Sequence, residues 1–281
     1  AVDIVGTGGD QQNTVNISTM AALVIAGTGA TVVKHGNRAS TSKSGSADVL
    51  EALGIQLDMP IKSVAACARQ VGITFLFAMT FHPSMRFVGP TRKMLGIPTA
   101  FNYLGPMTNP ARVSSSAIGV ANPQMVEKMA WVFANRGDHA LVFRGDDGLD
   151  ELTIATTSQI WEASGGTLQK YVFNPEGYGI ERSSLDNLRG GDAEYNASVF
   201  RAVLAGEGES AKDSLHAIRN AVLINAAAGL IAYRKNDGRS FEERYTEALA
   251  DARQSIDTGA AAQVLNAWVE FSHLVVETPS P

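Results

Sequence analysis

Residues 1–38 read A-V-D-I-V-G-T-G-G-D-Q-Q-N-T-V-N-I-S-T-M-A-A-L-V-I-A-G-T-G-A-T-V-V-K-H-G-N-R. Ala1–Val5 reads as a strand and Gly6–Asn16 as a polar, glycine-rich loop. Ile17–Gly27 is an apolar helical run that Asn16 or Ser18 can cap, and Thr31–Lys34 is a second short strand. The unit recurs downstream: a polar loop over His35–Ser46, helices over Ala47–Leu53 and Ile61–Val71, and a strand over Ile73–Ala78. Strands alternating with helices predict an α/β fold built on a mainly parallel sheet flanked by helices. Phe81–Pro110 is less regular, with a helical stretch at Met85–Leu95. A strand at Ala117–Ala121, a helix at Pro123–Arg136 and a strand at His139–Phe143 restore the alternation. Thr153–Phe173 alternates around Gly165-Gly166, which predicts an antiparallel portion of the sheet. From Ala193 the pattern is helical: Ala193–Ala205, Ala211–Tyr233, Phe241–Asp257 and Ala260–Leu274. A chain that opens directly in a core strand is expected to have a segment ahead of it.

The 281 residues are 45% hydrophobic and 18% charged, which excludes disorder as the main state. The net charge of −5 and a pI near 5.6 give no global footprint for nucleic acid or an anionic membrane surface. The longest apolar run, Ala226–Ala232 after Ala221–Ile224, is broken by Asn225 and falls short of the roughly 20 residues a bilayer needs. The expectation is therefore no nucleic-acid partner and no membrane partner. Cys67 is the single cysteine, so no internal disulfide can form, and the composition fits a reducing, cytoplasmic compartment. Eight of the 27 glycines fall in residues 1–54, above the average usage of about 7%. Glycine there lets something approach the main chain closely.

Four stretches can carry chemistry, and each also has a plain structural reading. Gly6-Thr7-Gly8-Gly9-Asp10 follows a strand and leads to a helix, so its N–H groups can bind phosphate, or it is a tight turn. It is neither the dinucleotide fingerprint nor a P-loop. Asn13–Thr19 offers amides and hydroxyls that cap a helix or hold phosphate oxygens or a metal-bound water. Lys34–Arg38 and Ala39–Ser46 close the second strand with Lys34, Arg38 and Lys43 as charges for phosphate, or form a solvated loop. Gly145–Glu151 clusters carboxylates that suit Mg²⁺, or makes an Asp/Gly turn; the spacing excludes an EF-hand. Two glycine- and hydroxyl-rich loops at strand carboxyl ends point to one polyanion site. The residues alone lead to a Mg²⁺-dependent enzyme acting on a phosphorylated or pyrophosphorylated substrate.

G-T-G-G-D (6–10), N-I-S-T (16–19), K-H-G-N-R (34–38), S-G-S-A-D (44–48), F-H-P (81–83), F-N-x-L-G-P-x-x-N-P (101–110) and D-G-L-D-E (147–151) occur in that order. Together they resemble the anthranilate phosphoribosyltransferase family over essentially the whole chain. The resemblance implies the fold of class III phosphoribosyltransferases, shared with nucleoside phosphorylases. It implies transfer of phosphoribosyl from 5-phosphoribosyl 1-pyrophosphate (PRPP) to the amine of anthranilate in tryptophan biosynthesis, with inversion at C1. PRPP would lie on Gly6, Gly9, Asp10, Thr14, Asn16, Ile17, Ser18, Thr19, Lys34, His35, Gly36, Asn37, Arg38, Ala39, Ser40, Thr41, Ser42 and Ser46. Two magnesium ions per active site would be held, one by Ser18 and Glu151 and one by Asp150 and Glu151. Anthranilate would meet Gly6, Asn37, Ala78, His82, Arg92 and Gly105, and the residues expected to act in catalysis are Lys34, Asn37 and Arg92. The resemblance further implies a homodimer. It also implies that 1–281 is the α/β catalytic domain, with 83–97 belonging to a small α domain whose other helices would precede the first strand. At Met85 some members carry an aromatic residue. Pyrimidine nucleoside phosphorylases share the fold and a similar K-H-G-N-R loop, but D-G-L-D-E and F-N-x-L-G-P fit a pyrophosphate substrate better. A nucleic-acid-binding relative should have a basic groove and eroded metal or glycine motifs, whereas here both are intact.

Overall fold

Strand β1 (Val2–Gly6) lies inside a seven-stranded sheet in a computed structural model that describes residues 1–39, 43–95, 97, 99–208 and 214–277. The other strands are β2 (Val32–Gly36), β3 (Ile73–Phe77), β4 (Ser115–Gly119), β5 (His139–Gly145), β6 (Ser158–Ser164) and β7 (Thr167–Phe173). Their order is β3-β2-β1-β4-β5-β6-β7. The first five pair in parallel, and β6 and β7 add the antiparallel portion. The expected mixed α/β architecture is what forms.

Every residue of β3 and β4 is buried, as in strands covered on both faces. Strand β7 is largely exposed at the sheet's edge. Gly165 and Gly166 both take positive φ, 57° and 79°, which the tight β6–β7 turn demands.

The helices are α1 (Ile17–Gly27), α2 (Ser46–Ala52), α3 (Ile61–Gln70), α4 (Ala78–Phe81), α5 (Met85–Leu95), α6 (Phe101–Met107), α7 (Pro123–Arg136), α8 (Ala193–Leu204), α9 (Ser214–Arg234), α10 (Phe241–Asp257) and α11 (Ala260–Glu277). The main core lies under α1 and α9: Ile4, Met20, Leu23, Leu141, Phe143, Leu223 and Leu230 are fully buried in it. A smaller core gathers Val126, Met129 and Phe133 of α7 against Ile118 and Val142. Helix α1 is buried nearly all round, so it must sit between layers rather than on the surface. Helix α9 is long and apolar enough, by length and composition, to cross a membrane, yet 83% of its apolar window is buried inside the fold. The sequence reading places this helix at Ala211–Tyr233, in line with α9, but it passes over α4 and α6. Pro106 lies inside α6 in its last turn, where a pattern reading ends a helix.

The strand order reverses at β1. From β1 the chain goes by way of α1 to β2 on one side, while β4, on the other side, leads to β5. In open parallel sheets ligands bind outside the strand carboxyl ends at such a reversal.

Candidate active site

At the carboxyl ends of β1 and β4, Gly6 and Gly119 stand side by side in the ladder. A Cβ on Gly119 would lie 1.6 Å from the Asp150 carbonyl oxygen, and one on Gly6 would lie 2.4 Å from Asp150 Oδ2. The two glycines thus open a slot into which the loop after β5 folds. Leu149, Leu152 and Ile154 are fully buried and anchor that loop in the core.

The loop sorts its four acids. Asp147 accepts hydrogen bonds from the Leu149 N–H (3.1 Å) and the Thr153 hydroxyl (2.6 Å) and so shapes the turn. Asp146 accepts from Thr157 and Gln159. Asp150 and Glu151 are the buried pair, at 8% and 7% exposure. Asp150 Oδ2 accepts from the Gly8 N–H at 2.6 Å. Burial, and then the charge of Asp10, push the Asp150 carboxyl up to about 8. Burial and the neighbouring Asp150 raise Glu151 well above the usual range, while Lys34 and the Ser18 N–H pull it back. Glu151 Oε2 is buried with no hydrogen-bond partner among the described residues.

These acids lack a full set of counter-charges, which is what a divalent cation supplies. Among the described residues no three His, Cys, Asp or Glu side chains converge into a ready metal cage. Mg²⁺ characteristically uses one or two carboxylates and completes its shell with water and substrate phosphates. The donor set of hard oxygens therefore fits magnesium.

The glycine-rich loop reaches this pair because Gly8 and Gly9 take φ of 67° and 86°, open to glycine at little cost. The loop is braced from behind: Val15 N–H donates to Leu188 O at 2.9 Å, and Gly190 N–H to Asn13 O at 2.8 Å. Thr14 forms a β-bridge with Arg189 there. Asn16 Nδ2 donates to Ser44 O (3.0 Å), and Asn196 Nδ2 donates to Asn16 Oδ1 (2.9 Å). The Thr19 hydroxyl donates to Ser46 Oγ at 3.0 Å, joining the N-I-S-T and S-G-S-A-D segments. Ile17 packs in the core, so only its backbone can face a ligand.

Lys34 is carried inward. Its ammonium donates to Ile4 O at 2.5 Å and to Ser18 Oγ at 3.2 Å. Burial lowers its pKa, and the charges of Asp3 and Glu151 oppose that. The Arg38 guanidinium is held by Glu51 (2.7 Å) and Asp48 (3.1 Å). The structure therefore engages both cations, which the sequence reading leaves free for phosphate, with protein groups. Asn37 and Lys43 are exposed, and Ala39 N–H donates to Asp48 Oδ2 at 2.9 Å. Ser40, Thr41 and Ser42 lie outside the described residues, as does the side chain of Arg92.

A third group forms beside β2. His35 Nδ1 contacts Gly105 O at 3.2 Å, and its ring meets that of His82 edge-on at 5.0 Å. Burial, then His82, lower the His35 pKa to about 4, so the imidazole is neutral at pH 7. The Nε2 atoms of both histidines are buried without hydrogen-bond partners among the described residues. Ala78 lies at the start of α4, which leads to His82. His82 and Gly105, both expected near anthranilate, border the same His35 ring. Sequence reading misses the supports: Asp3, which accepts from His35 N–H (3.1 Å) and Asn109 Nδ2 (2.8 Å), then Gly119 and Asn196. None of these carries a local signal, since each acts on a partner distant in sequence.

Fold and site place the chain among enzymes of glycosyl transfer: residues 1–262 match the glycosyl transferase family, a/b domain. The anthranilate phosphoribosyltransferase of Arthrobacter sp. (strain FB24) is 57% identical over 96% of this chain and 75% of its own length. That of Rhodococcus opacus (strain B4) is 54% identical over 96% and 73%. The chain belongs to the anthranilate phosphoribosyltransferase family. The crystal structure of the Thermus thermophilus member superposes with a TM-score of 0.87 at 40% identity, covering 97% of this chain and 78% of that one. The Saccharomyces cerevisiae enzyme in complex with PRPP and Mg gives 0.86 at 31%, covering 97% and 73%.

Proposed function

We propose that the chain transfers the phosphoribosyl group of PRPP to the amine of anthranilate, in a step of tryptophan biosynthesis. The C1–oxygen bond to pyrophosphate breaks and a C1–nitrogen bond forms on the opposite face. The amine sheds a proton, and pyrophosphate leaves. The observation that carries this reading is the buried Asp150–Glu151 pair set in the Gly6–Gly119 slot beside Ser18.

Asp150, Glu151 and Ser18 would hold magnesium, two ions per site, and bound there it would draw off charge gathering on the pyrophosphate oxygens. The Thr7 and Gly8 backbone N–H groups already donate to Gly119 O and Asp150 Oδ2, so within the glycine-rich loop those of Gly9 and Asp10 would meet the same charge, with no reorganisation needed. Lys34 adds its charge from below through Ser18. The aniline-type amine of anthranilate is already neutral at pH 7, so no strong base is required and positioning carries the acceleration. Asn37, Ala78, His82 and Gly105 would frame that amine, and the neutral His35 imidazole adds no cation to compete with Arg92 for the substrate carboxylate.

We further propose that residues 83–97 belong to a small helical domain and that the enzyme works as a cytoplasmic homodimer. Phe87, Met94 and Leu95 expose apolar surface on α5, which supports a partner there. Analytical ultracentrifugation tests the dimer.

Asp150→Asn combined with Glu151→Gln should abolish magnesium-dependent turnover; an ordinary magnesium response would refute the carboxylate assignment. Arg92→Ala should raise the anthranilate KM more than the PRPP KM, and equal changes would remove Arg92 from that role.

A further inference from the structure

Helix α9 is buried along most of its length, and Asn225 sits at its middle with no exposed surface. An amide buried among apolar groups is costly unless its donors and acceptor are all used. They are. Asn225 Oδ1 accepts from the Leu152 N–H at 2.9 Å. Nδ2 donates to Leu152 O at 3.0 Å and, back along its own helix, to Ala221 O at 2.9 Å.

Both backbone groups of Leu152 are thus met by one side chain, as a neighbouring strand would meet them. No strand is available: β5 ends at Gly145 and β6 begins at Ser158, so the loop between them must find partners elsewhere. Leu152 directly follows Asp150 and Glu151. On the far side of the pair, the Asp150 carbonyl rests in the slot between Gly6 and Gly119. The two carboxylates are therefore strung between two fixed points, the glycine slot and the Asn225 amide.

We propose that Asn225 is a positioning residue for the reaction: its clamp on Leu152 sets where Asp150 and Glu151 present their oxygens to a divalent ion and pyrophosphate. This rests on the reading of that pair as the magnesium carboxylates. Removing the amide leaves Leu152 tethered by side-chain packing alone and its N–H and C=O unpaired in the core, so the loop will shift to find other partners. Groups that orient metal ligands typically change affinity 10–100-fold when lost.

The test compares Asn225→Leu, of similar volume and without hydrogen bonds, with Tyr245→Phe. Tyr245 Oη donates to Ile224 O at 2.7 Å, so that variant removes a buried hydrogen bond one residue away on the same helix without touching the loop. Mn²⁺ binding in the presence of PRPP, read by electron paramagnetic resonance, should weaken about 10–100-fold in Asn225→Leu and stay unchanged in Tyr245→Phe. Hydrogen exchange at the Leu152 amide should quicken only in the first, and the anthranilate KM should hold in both. Asn225→Asp keeps the acceptor for Leu152 N–H but cannot donate to its carbonyl. It serves if the leucine variant does not fold, with the same losses expected. Normal Mn²⁺ affinity in a folded Asn225 variant, or equal losses in Tyr245→Phe, would overturn the proposal. Asp150→Asn with Glu151→Gln separates the two claims. If that pair binds Mn²⁺ normally, the carboxylate reading falls and the positioning role with it. If it loses the ion while Asn225→Leu keeps it, the positioning role alone falls.

Discussion

Asp150 shows the conflict between stability and function at a single side chain. Its folded carboxyl titrates at about 8 against 3.8 for the free group, chiefly because it is buried and then because Asp10 faces it. A carboxyl raised in the folded state favours folding below its unfolded value and loses that contribution as pH rises through the folded one. Asp150→Asn keeps the acceptor for the Gly8 N–H and removes the charge. The ligand-free variant should therefore melt higher than the parent at pH 8, with the gain shrinking towards pH 4, as followed by circular dichroism. A lower melting temperature at both pH values would contradict this. The sequence D-G-L-D-E marks this stretch as acidic, but it does not say which acids are buried. That choice is made by Thr153 and Leu149, which occupy Asp147, and by Thr157 and Gln159, which occupy Asp146.

The antiparallel strands and α10 are joined by one buried ion cluster. Glu162 on β6 accepts from Arg244 of α10 at 2.7 and 2.8 Å and meets His139 Nε2 of β5 at 2.8 Å. Burial opposes the Glu162 charge, but the bonds from Arg244 and His139 outweigh it and hold the carboxyl at about 2. A lowered carboxyl contributes stability above its unfolded pKa, here 4.5, and loses it as pH falls through about 2. Glu162→Gln leaves Arg244 buried without its counter-charge and should cost about 3–5 kcal/mol in urea unfolding at pH 6. The gap between variant and parent should narrow from pH 4.5 towards pH 2; a gap independent of pH would exclude the ion pair as its source. At this scale the sequence is read well where period and punctuation agree. Gly165-Gly166 gives the hairpin, and the helix expected at Pro123–Arg136 is α7, where the structure adds an N-cap, Asn122, that accepts from Gln124 N–H. Helix α6 is missed because Gly105 and Pro106 both read as breakers. The Glu162 cluster is missed because its members are far apart in the chain.

Over the whole molecule, the reversal of strand order at β1 creates the crevice, and three loops distant in sequence fill it. The alternation of strands and helices announces the sheet, and the glycine-rich loops announce that its strand ends bind something. Strand order is not written in any local pattern. Nor is the return of residues 145–158 onto Gly6 and Gly119, which depends on the absence of two β-carbons. Asn225 marks the same limit: in the sequence it only breaks an apolar run, while in the fold it holds the loop that carries the acids. The central claim is that this crevice moves a phosphoribosyl group with the help of a divalent ion held by Asp150 and Glu151. The most direct test is to mix the protein with PRPP and anthranilate and follow anthranilate fluorescence with Mg²⁺ present or with EDTA added. The account predicts a steady loss of fluorescence with Mg²⁺ and none with EDTA; no loss with Mg²⁺, or an equal loss in EDTA, would contradict it.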